Sequence, residues 1–167
     1  MTPAYYQELF QHMRWANHRM WGCVMKLSDE QYTQPLEYSI GSIQRQTVHM
    51  MGVEYWWPEY LRSGETNFLR VKEFPDRAAV RARWDEIEAS NLAYVDALTM
   101  DDLQREILPP FGPDDRKPLR VWQVLTQVVM HSHDHRAQIM AMLHGFGVAG
   151  VEQDYIYYLF EQMMTQG

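Results

Sequence analysis

The stretch VVMHSHDHRAQI, Val128 to Ile139, carries three histidines within five positions. On an α-helix each residue advances about 100°, so His131 and His135 lie about 40° apart and share a face. His133 is turned about 200° from His131 and points the other way. An i, i+4 histidine pair can hold a divalent metal if another element supplies at least one more ligand. Taken alone, HxxxH is a common helical pattern, so the rest of the chain decides whether the pair matters.

The pattern around it is helical throughout. Val124, Val128, His131, His135, Gln138 and Met142 follow one stripe, so the two histidines interrupt an apolar row that should face a core. This helix is expected from about Leu119 to His144, after a segment (PPFGPDDRKP, Pro109 to Pro118) that cannot continue a helix. Three other long helices are expected. The first spans about Pro3 to Lys26, with Leu9, Met13, Ala16, Met20, Cys23 and Leu27 in 4-3 spacing and Thr2 as N-cap. The second spans about Ser42 to Leu61, where Pro58 is expected to kink or end it. The third spans about Asp76 to Leu98, with Val80, Trp84, Ile87, Asn91, Tyr94 and Leu98 on one face. A short fifth helix, about Asp154 to Met164, closes the chain. No segment alternates convincingly as a strand. The class is all-α, a four-helix bundle with a short C-terminal fifth helix, in a single domain over 1–167.

Composition narrows the function. The chain has 167 residues, 46% hydrophobic and 13% aromatic, enough for one real core. Its net charge of −7, from 15 basic and 22 acidic residues, gives no support to a nucleic-acid binder. The arginines at 77, 81 and 83 read as a solvated helix face. Cys23 is the single cysteine, so no intrachain disulfide is possible, and it reads as a small buried hydrophobe rather than a nucleophile. The N-terminus lacks a basic start followed by an apolar core, and no apolar run reaches about 18 residues. No signal peptide, no membrane contact and a reducing cytoplasm are expected. There is no GxSxG, P-loop, GxGxxG or CxxC.

The second helix supplies a third candidate ligand. Ser42, Gln46, His49, Val53, Trp56 and Tyr60 share 4-3 spacing, so His49 can also face inward; Trp56 and Trp57 read as core and rim packing, with a pocket wall beside His49 as the alternative. Alone, His49 reads as a core or interface histidine. Together with His131 and His135 it offers three imidazoles from two helices, a set that leaves Zn²⁺ a fourth position open to water or substrate. Three neutral ligands leave the full +2 charge, which favours an anionic fourth ligand such as hydroxide or thiolate. His12, His18, His133 and His144 read as surface or structural.

These residues also resemble a known family. MRWANHRMW is similar to the Trp-Ala-Asn signature of DinB/YfiT-like proteins, and QTVHMMGVEYWW resembles their second-helix His followed by Glu and Trp. MHSHDHRAQIMAML resembles their HxxxHRGQ block, and EQDYIYYL their C-terminal Asp-aromatic segment. Order and spacing hold over nearly the whole chain. The resemblance implies a bundle, usually dimeric, with one divalent metal ion per chain, Zn or Ni, on His49, His131 and His135. Ala137 departs from the Gly that many members carry there, and leaves the histidines untouched. Relatives include S-transferases using bacillithiol, mycothiol or glutathione, and a maleylpyruvate isomerase.

The leading expectation is a metal-dependent thiol S-transferase, with a low-molecular-weight thiol and an electrophilic small molecule as partners. The alternatives are a hydrolase in which the ion activates water to hydroxide, and a noncatalytic metal-binding stress protein. No catalytic acid or base is assigned; Glu54, Asp134 and Gln138 are the residues near the ligands in sequence. A homodimer is expected from the aromatic-rich helices and the apolar segment YIYYLF, Tyr155 to Phe160.

Overall fold

Each long helix begins where an oxygen or amide can take up a free backbone group. Thr2 caps α1 (Pro3–Val24), Ser42 caps α3 (Ile43–Ser63) and Asp76 caps α4 (Arg77–Asp96), each side chain accepting from the N–H three residues on. Such caps contribute about 1 kcal/mol apiece. At α6 (Val121–Gly145) the arrangement is reversed, the Arg120 N–H donating to Gln123 Oε1 at 2.8 Å. A computed structural model describes residues 1–165 in this form, so the last two positions of the 1–167 domain lie outside the described residues.

The four long helices form a bundle in which α1 and α3 each pack against both α4 and α6. Helices consecutive among these four are therefore not all neighbours: α1 lies diagonally from α3, and α4 from α6. The linker from α1 to α3 carries the short α2 (Asp29–Thr33), started by a Ser28–Gln31 capping box. Another short helix, α5 (Met100–Gln104), follows α4 behind a Thr99–Asp102 box. The expected fifth helix is α7 (Tyr155–Thr165), one residue from its predicted start.

Two local expectations need correction. No strand was expected, yet β1 (Glu106–Ile107) pairs antiparallel with β2 (Leu119–Arg120), delaying the start of α6 to Val121. This two-residue ladder closes the neck of the Pro-rich loop, too short to leave an alternating pattern. Pro58 does not end α3 early, for the helix runs on to Ser63 with Gly64 as its C-cap. A proline deprives the carbonyl four residues back of its hydrogen bond. Here that carbonyl belongs to Glu54, and Asn91 Nδ2 donates to it at 2.7 Å.

The core has two apolar clusters, one around Met20, Met51, Trp84 and Ile139, the other around Phe10, Met13, Trp56 and Val128. Between them lies a buried polar layer of Asn17, Glu54, Glu88, Asn91, Ser132 and Arg136. Arg77 and Arg81 are more engaged than a solvated face would be. Arg77 donates to the Val24 and Leu27 carbonyls, and Arg81 pairs with Asp85 and Glu88. Cys23 is buried and unpaired with any other cysteine, as expected.

Candidate metal centre

The helical phase of α3 and α6 brings His49, His131 and His135 together. His131 Nε2 lies 3.1 Å from His49 Nε2 and 3.0 Å from His135 Nε2. Ring nitrogens of all three fall within 4.8 Å of one another, and no carboxylate or thiol of the described residues joins them. His133 points to solvent, as the 200° offset requires.

The trio does not, however, occupy the interior of the bundle. His49 is exposed, and His131 and His135 are only partly covered. The interior positions of α6 belong to the residues immediately after each histidine, Ser132 and Arg136, at 0% and 2% exposure. The stripe through Val124 and Val128 runs along one flank of the buried face, which centres on Leu125, Val128, Ser132 and Ile139. The histidines thus sit at the rim of the α3–α6 seam, open to solvent on one side.

Polar neighbours fasten this rim. The Gln46 amide stands 2.6 Å from His135 Nδ1 and also hydrogen-bonds the Gln138 side chain. Ser39 donates its hydroxyl to Gln138 Oε1 at 2.7 Å. Ser39 has φ of 51°, a left-handed conformation that a non-glycine residue adopts only when its surroundings enforce it. The α2–α3 loop is therefore held against the histidines by an amide pair and one strained serine. His131 Nδ1 is buried and has no partner among the described residues.

Burial, followed by repulsion from His135 and His49, pushes the His131 pKa down to about 4. Burial also lowers those of His49 and His135, with His49 adding to the effect at His135. All three rings are consequently neutral near pH 7 and have lone pairs to offer.

The other candidates fall elsewhere. Glu54 turns away from the histidines and is wholly buried. It accepts hydrogen bonds from Ser132 Oγ (2.6 Å), Trp84 Nε1 (2.7 Å) and Asn17 Nδ2 (3.0 Å). Asp134 is exposed beside His135, and Gln138 belongs to the amide pair. Trp56 and Trp57 stack at 4.0 Å, both buried, under the exposed Phe111, so they form a shelf two turns along α3 rather than a pocket wall at His49. His12 is structural, 7% exposed, its Nε2 3.0 Å from the Gln153 carbonyl. His144 is exposed. His18 meets Asp85 and Glu88 in a second cluster. Arg81 already pairs with both of its carboxylates, at 3.0 and 2.7 Å.

The sequence reading missed how the remaining signature residues are used. Asn17, Glu54 and Arg136 come from the first-, second- and fourth-helix motifs and meet in the buried layer, with Arg136 Nη1 donating to Asn17 Oδ1 at 3.0 Å. Their signal was a polar residue falling on each buried stripe.

The bundle, its rim of three histidines and the motif order define a family, and the chain belongs to it: the DinB family model matches residues 1–166. The fold is similar to that of YfiT from Bacillus subtilis, described as "a probable metal-dependent hydrolase with an unusual four-helix bundle topology", at 16% identity and TM-score 0.71, covering 89% of this chain and 91% of that one. It is also similar to a DinB-like protein from Bacillus subtilis (14% identity, TM-score 0.65, 86% and 94% covered). A DinB family member from Shewanella denitrificans matches at 14% identity and TM-score 0.59, with 92% and 88% covered. No curated protein matches the chain. No helix of the described residues is long and apolar enough to cross a membrane.

The depressed histidines make stability pH-dependent in a defined direction. A histidine whose pKa falls on folding binds its proton more readily in the unfolded chain. Its stabilising contribution is present above pH 6.5 and is lost as pH falls toward the His131 value of about 4. Metal-free protein should lose thermal stability across that window, and His131→Asn should flatten the slope. An identical slope in the variant would show that His131 is not depressed by folding.

Proposed function

We propose that this chain is a metal-dependent thiol S-transferase acting on an electrophilic small molecule, with one divalent ion, Zn²⁺ or Ni²⁺, on His49, His131 and His135. The observation that carries the reading is the donor set: three neutral imidazoles converging at an open rim with no carboxylate among them. The fit is close. Tetrahedral ligands at 2.0–2.1 Å from zinc stand about 3.3 Å apart, so nitrogens at 3.0 and 3.1 Å need open by only a few tenths of an ångström. Imidazole suits both metals, and geometry rather than affinity selects between them.

An ion held by neutral ligands supplies undiminished positive charge, which favours a thiol in its ionised form at neutral pH. The chain's own residues hold and orient. The Gln46 amide nitrogen lies 2.6 Å from His135 Nδ1 and steadies that ring from the side away from Nε2. Glu54 is turned away, and Gln138 is an amide, so neither serves as a base at the rim. The sulfur is that of the cosubstrate, because Cys23 is buried against the Ala149 carbonyl. A reducing cytoplasm would supply such a thiol.

A metal-dependent hydrolase is the second reading, favoured by the description given to YfiT. The two separate in one assay. Protein loaded with Zn²⁺ or Ni²⁺ should conjugate bacillithiol, mycothiol or glutathione to a haloarene. His135→Ala should lose both metal and activity, while His133→Ala retains both. Metal-dependent ester cleavage with no thiol conjugation would favour the hydrolase. Metal retention without either activity would favour a noncatalytic metal-binding stress protein.

We also propose a homodimer, supported by α7. Ile156, Phe160, Met163 and Met164 lie on one face of this helix and are 48–74% exposed, while Tyr155 and Tyr158 hydrogen-bond α1 through Glu8 and Gln11. Light scattering at tens of micromolar should give twice the chain mass, and Phe160→Glu should halve it. A monomer mass for the unmodified chain would contradict this.

A further inference from the structure

Of the three ligands of the proposed centre, among the described residues only His135 has a hydrogen-bond partner outside the trio, the Gln46 amide. His49 is exposed, and the rings of His131 and His135 are covered on one side only. A metal site tolerates ligand distances of only about 0.2 Å from ideal. A histidine nitrogen about 6 Å from its helix axis moves that far when the helix rotates by about 2°. Apolar packing alone specifies rotation less tightly, since cores of the right volume accept alternative packings before they lose stability. Something directional must set the phase of α6 against α3.

Ser132 and Arg136 occupy the positions to do so. Each directly follows a candidate ligand, so each is rigidly related to it through the helix backbone, about 100° round the axis. Both are buried, and both are tied to other helices. Ser132 Oγ donates to Glu54 Oε1 on α3 at 2.6 Å, and Arg136 Nη1 donates to Asn17 Oδ1 on α1 at 3.0 Å. Asn17 Nδ2 in turn donates to both Glu54 oxygens, at 3.0 and 3.2 Å, and Trp84 Nε1 from α4 completes that carboxylate. The Glu54 backbone is pinned as well, through Asn91 Nδ2 to the carbonyl freed by Pro58. One residue of α3, five positions from His49, thus holds the residue next to His131.

We infer that this buried network is a positioning device for the histidine centre, with Ser132, Glu54, Asn17 and Arg136 as positioning residues that fix the rotation of α6. The inference rests on the metal reading of His49, His131 and His135. Burying this much polar surface is a weak route to stability, and a network of directional bonds at the junction of four helices favours one arrangement over near neighbours. None of these side chains belongs to the ligand cluster.

Cobalt binding separates positioning from general stabilisation. Ser132→Ala removes one hydrogen bond from the network with little change of volume. Val95→Ala removes methyl groups from the apolar cluster on α4, the helix diagonal to α6, and serves as a control. Both variants should lower the melting temperature of the metal-free protein. Ser132→Ala should also weaken Co²⁺ binding at least about tenfold and shift the visible d–d bands, as loss of supporting hydrogen bonds does at other metal sites. Val95→Ala should leave both the affinity and the bands of the unmodified chain. Unchanged Co²⁺ affinity and spectrum in Ser132→Ala, or equal changes in Val95→Ala, would overturn the inference. An unmodified chain that binds no Co²⁺ would remove the metal reading itself, and the positioning role with it.

Discussion

A carboxylate cut off from water at the junction of four helices constrains the rest of the molecule. Burial raises the pKa of Glu54, and the nearby Glu88 raises it further, while hydrogen bonds from Ser132, Trp84 and Asn17 act in the opposite sense. Such a group is tolerable only if every donor around it is in place. Those donors come from α1, α4 and α6, so satisfying one side chain on α3 fixes the relative placement of all four long helices. Arg136, held down to about 10 by burial, adds positive charge to the same layer. Removing one member would strand the others, which is costlier than exchanging the whole set for apolar residues.

The exposed centre follows from this buried one. Binding residues work best on elements that cannot drift, yet a metal open to substrates must lie near solvent. The bundle places the buried polar layer one residue inside the rim of histidines. His131 and Ser132, and likewise His135 and Arg136, are adjacent in sequence but face solvent and core respectively. The loop before α3 closes the other flank, its strained Ser39 joined to the Gln46–Gln138 pair. Solvent exposure and buried hydrogen bonding are thereby divided between neighbouring residues of one helix.

Periodicity made the long helices legible, because each buries a continuous apolar face and carries a side-chain cap at three of the four starts. It also singled out His49, His131 and His135, which the fold brings together. What periodicity could not convey was depth. A stripe drawn at 4-3 spacing does not say which of its flanks faces the core, and the histidines lie on the outer flank, beside the buried Ser132 and Arg136. Glu54 lies five positions from His49, and its direction depends on partners 30 to 78 residues away. Pro58 looked like a break because nothing local revealed that Asn91 would take the orphaned carbonyl. The ladder beside the Pro-rich loop was two residues per strand, below the length at which alternation can be read.

The central claim is that three histidines present a divalent ion with a position left for an exogenous sulfur. X-ray absorption at the zinc edge, on protein loaded with one Zn²⁺ per chain, reads the ligand atoms directly. Three imidazole nitrogens and one oxygen at about 2.0–2.1 Å are expected, with a sulfur at about 2.3 Å replacing the oxygen when a low-molecular-weight thiol is added. A spectrum dominated by four protein ligands, or one unaltered by every thiol tried, would contradict it.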